Sequence, residues 1–234
     1  MKTEIKAVLF DIDDTLFDRN KSQPLVLERI TKQFPHLFGS MDKEQILDAF
    51  LESDRISTAE WEAGRHVDDI RDYRSLLFLN ALGIPTVYAR QITEVYVKVY
   101  PFLNAPVDGA VELVQKASHR YKTGVISNSM PDVQYQKLET LGLRKFFTCV
   151  VLATEVGLKK PDPAIFIYAA KQLQLQPPDC LYLGDYYEND IAGAKGAGMA
   201  TCWFRRNNIG IENIGDADYI VESLEEAGRI LEVL

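Results

Sequence analysis

The stretch Lys6–Thr15, KAVLFDIDDT, sets a short apolar run directly against three carboxylates, Asp11, Asp13 and Asp14. Ala, Val, Leu and Phe at residues 7–10 have the length and composition of a strand buried on both faces. Carboxylates at the end of such a strand gather negative charge beside an apolar core, which is unfavourable unless a cation or placed basic groups offset it. The stretch therefore predicts a buried strand whose end carries charged chemistry. In open parallel sheets ligands collect beyond the carboxyl ends of the strands, so the residues at the end of each comparable run are the candidates for chemistry.

Such runs recur at TGVIS (123–127), CVVL (149–152), CLYL (180–183), ATCWF (200–204) and DYIV (218–221). Between them lie helical patterns: DGAVELVQKASHRY from Asp108, DVQYQKLETLG from Asp132, DPAIFIYAAKQLQL from Asp162 and NDIAGAKGAG from Asn189. Asp162 reads as a cap with Pro163 in the first helical position, and Gly142 closes its helix. Alternating strand and helix implies right-handed crossovers, and so an α/β fold with a doubly wound, mainly parallel sheet.

The region from Phe17 to Tyr100 differs, offering no buried strand. Helical periodicity runs through PLVLERITKQF, KEQILDAFLESD, DDIRDYRSLLFLNALG and TVYARQITEVYVKVY, with Gly83 and Pro85 punctuating the last two. The expectation is an all-helical domain at residues 17–101, inserted into an α/β core built from residues 1–16 and 102–234. The expected hinges are Asp18–Ser22 and Pro101–Val107, where polar residues or prolines interrupt the pattern.

With 234 residues, 47% hydrophobic and 26% charged, the composition is that of an ordinary globular protein. A net charge of -8 works against non-specific binding to nucleic acid or to an anionic membrane, so neither is an expected partner. Cys149, Cys180 and Cys202 are widely separated inside apolar runs and read as buried thiols, not as a metal site or a disulfide framework. The N-terminal apolar run is too short for a signal peptide and no run is long enough to span a bilayer, which makes the cytoplasm the expected compartment.

After the first run stand Asp11 and Asp13, which share a face if the chain stays extended. Two nearby carboxylates can divide labour, one ionised as nucleophile and the other raised in pKa as acid and base. An Asp-rich turn ending a strand is the plainer reading of this motif alone. After the second run Ser127 and Asn128 offer a hydroxyl, an amide and backbone N–H groups that hold phosphate oxygens without adding negative charge, although both are good turn residues too. The third run leads to EVGLKKPDP, where Lys159 and Lys160 precede a proline that keeps the chain extended. A lysine here can neutralise charge building up on a transferring group, although a surface lysine beside a proline turn is the plainer reading of this motif alone. The fourth leads to LGDYYENDIAGAKGAG, where Gly184 lets the backbone turn and Asp185 can complete an oxygen-donor site for a hard cation. Asp190 sits at or just before a helix start, where capping is its plainer role. In conjunction these are the parts of a Mg²⁺-assisted phosphoryl transfer to an aspartate.

The ordered set DIDDT, VISN, KKPDP and GDYYEND resembles the four motifs of the haloacid dehalogenase (HAD) superfamily of phosphohydrolases, on both sides of the helical insert. The resemblance implies a Rossmann-like core, with Asp11 as the nucleophile that forms an aspartyl phosphate. Asp13 would protonate the leaving group and then activate water. Ser127 and Asn128 would grip the phosphoryl group, and Lys160 would bridge nucleophile and phosphate. Mg²⁺ would be held by Asp11, Asp185 and the backbone carbonyl of Asp13. Thr15 and Asp190 would support, Asp190 through water or on Lys160. The insert resembles the family's cap, which closes over the site and admits substrate.

The expected activity is Mg²⁺-dependent hydrolysis of a small phosphorylated metabolite by a monomer or homodimer, the substrate being a sugar phosphate, phosphoglycolate, an acylneuraminate phosphate or a nucleotide. A phosphosugar mutase needs only a different cap. A metal-independent dehalogenase lacks the acid two residues on, so Asp13 and Asp185 speak against it. A phospho-Asp signalling module carries its aspartate on a later strand and needs no large insert. Within the insert, the Tyr and Trp residues read as packing, and Arg65, His66 and Arg74 as weak candidates for substrate contact.

Overall fold

This computed structural model describes residues 4–64, 69–206 and 216–234, without the side chain of Glu62. Arg65 and His66 lie outside the described residues. The chain opens with β1 (Ala7–Phe10). Helices α1 (Arg19–Gln33), α2 (Pro35–Phe38), α3 (Lys43–Glu62), α4 (Ile70–Ala81) and α5 (Ala89–Val99) come after it. Next come α6 (Ala110–Arg120), β2 (Lys122–Ser127), α7 (Pro131–Thr140), β3 (Cys149–Leu152), α8 (Ala153–Val156) and α9 (Pro163–Gln172). After β4 (Cys180–Gly184) a π-helical turn, Tyr187–Ala192, runs into α10 (Gly193–Gly196). β5 (Ala200–Phe204), β6 (Tyr219–Val221) and α11 (Leu224–Val233) complete the chain.

The chain forms two compact units, one running to Arg19 and resuming at Asn104, the other spanning Asn20–Leu103. In the first, all strand pairs are parallel and the sheet order is β3-β2-β1-β4-β5-β6. Strand β1 is central and every residue of it is buried, which is why its sequence is an unbroken apolar run. The order reverses between β1 and β4, the switch point where open α/β sheets leave a crevice at their carboxyl ends. On one face of the sheet Ile165, Phe166, Ala169 and Ala170 of α9 pack with Leu9, Ile126 and Tyr182. The Phe166 and Tyr182 rings meet edge to face at 5.0 Å.

The strands match the apolar runs to within one residue, and the doubly wound sheet is as expected. Helix α11 is an addition, because its apolar face (Leu224, Ala227, Leu231) is sparse in a stretch rich in Glu. Where the chain leaves and re-enters this unit, Phe17 bridges Pro106, the Asp18 N–H donates to the Ala105 carbonyl (2.8 Å), and the Val107 N–H donates to that of Leu16 (3.0 Å).

In the second unit α4 packs on both α3 and α5. Phe38 stacks on Phe78 at 5.7 Å and Phe50 meets Phe78 edge-on at 5.4 Å. Helix α3 continues past Asp54, where apolar periodicity stops, because its inward polar groups are satisfied inside the unit. The Ser53 hydroxyl donates to the Phe50 carbonyl at 2.8 Å, and Asp54 accepts from Gln23 Nε2 at 2.6 Å. Arg74 lies 3.3 Å from Asp54, with its guanidinium 3.5 Å from the centroid of the Tyr96 ring. It is only 7% exposed, so it ties helices together and is not a free cation for substrate.

Candidate active site

Because Phe10 pairs with Leu183, β1 and β4 release Asp11 and Asp185 at neighbouring levels on the two sides of the switch point. The Asp11 N–H still donates to the Leu183 carbonyl, 2.9 Å, so its side chain leaves from rigid sheet. Asp11, Asp185 and Asp190 each offer a carboxylate oxygen, all within 4.8 Å of one another.

Lys160 enters this cluster from the loop between α8 and α9. It is 4% exposed, with Nζ 2.5 Å from Asp11 Oδ1, 2.6 Å from Asp190 Oδ1 and 3.2 Å from the Tyr182 hydroxyl. The loop is held by Asn128, whose Oδ1 accepts from the Lys160 N–H (2.8 Å) and whose Nδ2 donates to the Lys160 carbonyl (3.0 Å). Most of the capacity of this amide is thus spent bracing Lys160. Lys159 is exposed, so the structure distinguishes the two lysines.

Burial opposes the charge on Lys160, but Asp11 and Asp190 outweigh it and raise its pKa well above the ordinary lysine value. One ammonium does not balance three carboxylates. Burial first, then Asp190 and Asp13, push Asp11 up to about 7 despite Lys160. Burial, Asp190, Asp11 and Asp14 raise Asp185 well above the ordinary carboxyl range. A cluster of hard oxygen donors with excess negative charge fits a divalent cation such as Mg²⁺.

Asp190 caps and clamps at once. Its Oδ2 accepts the Tyr186 N–H that opens the π turn (3.0 Å), while Oδ1 faces Lys160 and the Tyr182 hydroxyl (3.1 Å). This needs Gly184, though for room and not for the turn expected from the sequence, since Gly184 is not among the residues with positive φ. A Cβ there would lie 2.5 Å from Asp190 Cγ and Oδ2. Gly184→Ala is therefore expected to push Asp190 off Lys160 and lower turnover by about tenfold to 100-fold, read as kcat against an unchanged far-ultraviolet circular dichroism spectrum.

Asp13 stands apart from the carboxylate cluster. Its Oδ1 is 2.5 Å from Lys137 Nζ and its Oδ2 accepts from Gln134 Nε2 at 2.6 Å. Burial disfavours its ionisation, yet Lys137 and Arg19 outweigh that and hold its pKa below the ordinary value. The raised carboxyl of the pair is thus Asp11 and not Asp13, the reverse of the division expected from the sequence. The metal contact expected of Asp13 is through its carbonyl, since its carboxylate is committed to Lys137 and Gln134.

Ser127 is buried at the end of β2, and its Oγ accepts from Gln134 Nε2 (2.8 Å) and from the Ser129 N–H (3.2 Å). Thr15 is fully buried and donates to Asp185 Oδ1 at 3.1 Å, while Trp203 Nε1 donates to the Asp185 carbonyl at 2.9 Å. Sequence reasoning missed Lys137, Gln134 and Tyr182. The signal was there for two of them: the inward face of α7 is Val133, Gln134, Lys137 and Leu138, with polar residues at i and i+3 where an apolar stripe is expected.

The chain matches the family of haloacid dehalogenase-like hydrolases over residues 8–204. It is 30% identical to the glyceraldehyde 3-phosphate phosphatase of Methanopyrus kandleri, covering 98% of this chain and 97% of the relative. It is 33% identical to the pyrimidine 5'-nucleotidase YjjG of Escherichia coli over 60% of this chain and 63% of that one. Among solved structures, the magnesium-bound HAD-hydrolase YfnB of Bacillus subtilis superposes with a TM-score of 0.85 at 22% identity, covering 98% of this chain and 99% of its own. A central parallel sheet with acids at its switch point, together with a match that spans most of the sequence, makes this chain a member of the haloacid dehalogenase-like hydrolase family.

Proposed function

We propose that this protein is a Mg²⁺-dependent phosphatase that hydrolyses small phosphomonoesters through an aspartyl phosphate on Asp11. The observation that carries this reading is Asp11 itself, a buried carboxylate at the switch point with one oxygen on Lys160 and Asp185 beside it. Asp11 and Asp185, with the Asp13 carbonyl, would hold the cation, which when bound neutralises the phosphoryl oxygens.

Asp13, which Lys137 keeps ionised in the free protein, first takes up a proton from the substrate's phosphate monoanion or from solvent. Asp11 then attacks phosphorus, the bond to the ester oxygen breaks, and Asp13 passes that proton to the leaving oxygen. Asp13 then takes a proton from the water that attacks the aspartyl phosphate, and cleavage of the phosphorus bond to Asp11 releases inorganic phosphate and restores the carboxylate. The Ser127 hydroxyl and the N–H groups of the loop after β2 orient the phosphoryl oxygens, while Lys160 holds Asp11 in place and offsets charge on the transferring group.

The names of the relatives support a substrate class. Several of those matched along the whole chain are named for a triose phosphate and a partial match for a nucleotide, so small sugar phosphates are the first candidates and nucleoside monophosphates the second. No described helix is long and apolar enough to cross a membrane, and the cytoplasm is the compartment we infer. The test is phosphate release from a panel of these esters with Mg²⁺ and with a chelator. Release that chelation abolishes is expected, and no release from any ester would overturn the reading. Turnover of a sugar phosphate without free phosphate would point to a mutase.

Cation binding should also depend on pH. Asp11 has its pKa raised from 3.8 to about 7, so its contribution to stability is fully present below the unfolded value and is lost as pH rises towards 7. Mg²⁺ competes with those protons and relieves the repulsion that replaces them. The rise in unfolding midpoint on adding Mg²⁺ is expected to be larger at pH 8 than at pH 5, and equal shifts would count against Asp11 as a ligand.

A further inference from the structure

We infer that Lys137 and Gln134, on the inward face of α7, are positioning residues that fix the carboxylate of Asp13 and register it with the phosphate-gripping hydroxyl of Ser127. This rests on the phosphatase reading and adds to it a set of residues that none of the four motifs contains.

Both side chains are almost completely removed from solvent, Lys137 at 1% and Gln134 at 0% exposure. A lysine so deeply buried needs a specific anionic partner. It has one in Asp13 Oδ1 at 2.5 Å, and its Nζ also stands 4.5 Å from the centroid of the Phe17 ring. Gln134 Nε2 occupies the second oxygen at 2.6 Å, so both ends of the carboxylate are held from one helix and rotation about its last bond is blocked. With Asp13 ionised the Gln134 amide turns Nε2 towards it, because the opposite orientation would set its carbonyl oxygen against the carboxylate, and this leaves Oε1 buried without a hydrogen bond.

The same nitrogen donates to Ser127 Oγ at 2.8 Å, and the Ser129 N–H donates there as well at 3.2 Å. A hydroxyl has two acceptor lone pairs. With both engaged by donors, the hydroxyl hydrogen of Ser127 is left for an outside acceptor, as binding a phosphoryl oxygen requires. One glutamine thus couples the Asp13 carboxylate after β1 to the anion grip after β2, and fixes the polarity of that grip. The pair is a product of helical geometry: residues 134 and 137 are separated by i to i+3 and share a face.

The test separates positioning of the acid from general support of the fold. The constant kcat/KM reports the steps through formation of the phosphoenzyme, and that step needs a proton for an alkyl leaving group but not for nitrophenolate. We compare a glycerol phosphate with p-nitrophenyl phosphate in Lys137→Met, Lys137→Arg and Gln134→Leu, each alone and in an Asp13→Asn background, with circular dichroism as the folding check. For Lys137→Met the expected loss in kcat/KM is about 100-fold with the alkyl ester and about tenfold or less with the nitrophenyl ester. Lys137→Arg should recover most of that ratio, and Lys137→Met should cost less than about threefold once Asp13 is Asn. If Lys137→Met does not fold, Gln134→Leu leaves the ion pair in place and carries the same comparison. Equal losses on both esters, or the same loss with and without Asp13, overturn the inference while the phosphatase reading stands. If the wild-type protein hydrolyses neither ester, the alkyl member of the pair is replaced by the best ester of the sugar phosphate and nucleotide panel, and a wild type that releases phosphate from no ester fails the phosphatase reading and the inference with it.

Discussion

Asp11→Asn is expected to abolish phosphate release, by about 10⁴-fold or more, in a protein that folds as well as the wild type or better. An amide has nearly the shape of a carboxylate but cannot attack phosphorus. The change also removes a charge that its surroundings resist, since burial and the neighbouring acids push this carboxyl up to about 7. Lys160 keeps its 2.6 Å contact with Asp190, so no buried cation is stranded. Without added Mg²⁺ at pH 8, the unfolding midpoint of the variant should equal or exceed that of the wild type while activity is lost. Activity that survives, or a variant that fails to fold, would remove Asp11 from its proposed role.

Lys160→Met is expected to damage both properties. Among the described residues its Nζ is the one cation within hydrogen-bonding distance of both Asp11 and Asp190, and all three side chains are buried. Methionine fills the space of the stem but strands two carboxylates, and breaking a buried pair of this kind costs about 3–5 kcal/mol. Losing the cation also removes charge stabilisation from the transferring group, worth about 100-fold to 1000-fold in kcat. The stranded Asp11 can take up a proton instead, so denaturant titration should show a larger loss of stability at pH 8 than at pH 5. A variant of wild-type stability at pH 8 would mean that Lys160 does not balance this cluster.

The route by which each residue reaches the site decides whether the sequence reveals it. Asp11, Ser127 and Asp185 stand at or just beyond the ends of strands, so the apolar runs that mark the strands also mark them. Lys160 is legible from its place before Pro161, and Asp190 from its place after β4. Lys137 and Gln134 arrive side-on from a helix, where nothing in the spacing of motifs reports them and only a polar break in the inward face of α7 does. Tyr182 is hidden inside β4, where an aromatic residue reads as core. In the helical unit, the length of α3 was obscured by Ser53, Asp54 and Ser57, because inward polar residues erase apolar periodicity even when a helix satisfies them internally. The pKa order of Asp11 and Asp13 was not legible, because it depends on Lys137, which is distant in sequence.

The stitching of Phe17 to Pro106, and of the backbone on either side, has an evolutionary corollary. A module whose two ends emerge side by side from its host can be shortened, lengthened or exchanged without disturbing the strands that carry the chemistry, because closing the gap needs only a brief loop. Recombination at this junction would exchange the inserted unit while leaving the sheet intact, and it marks the place to cut for anyone building a minimal or chimeric version of the protein.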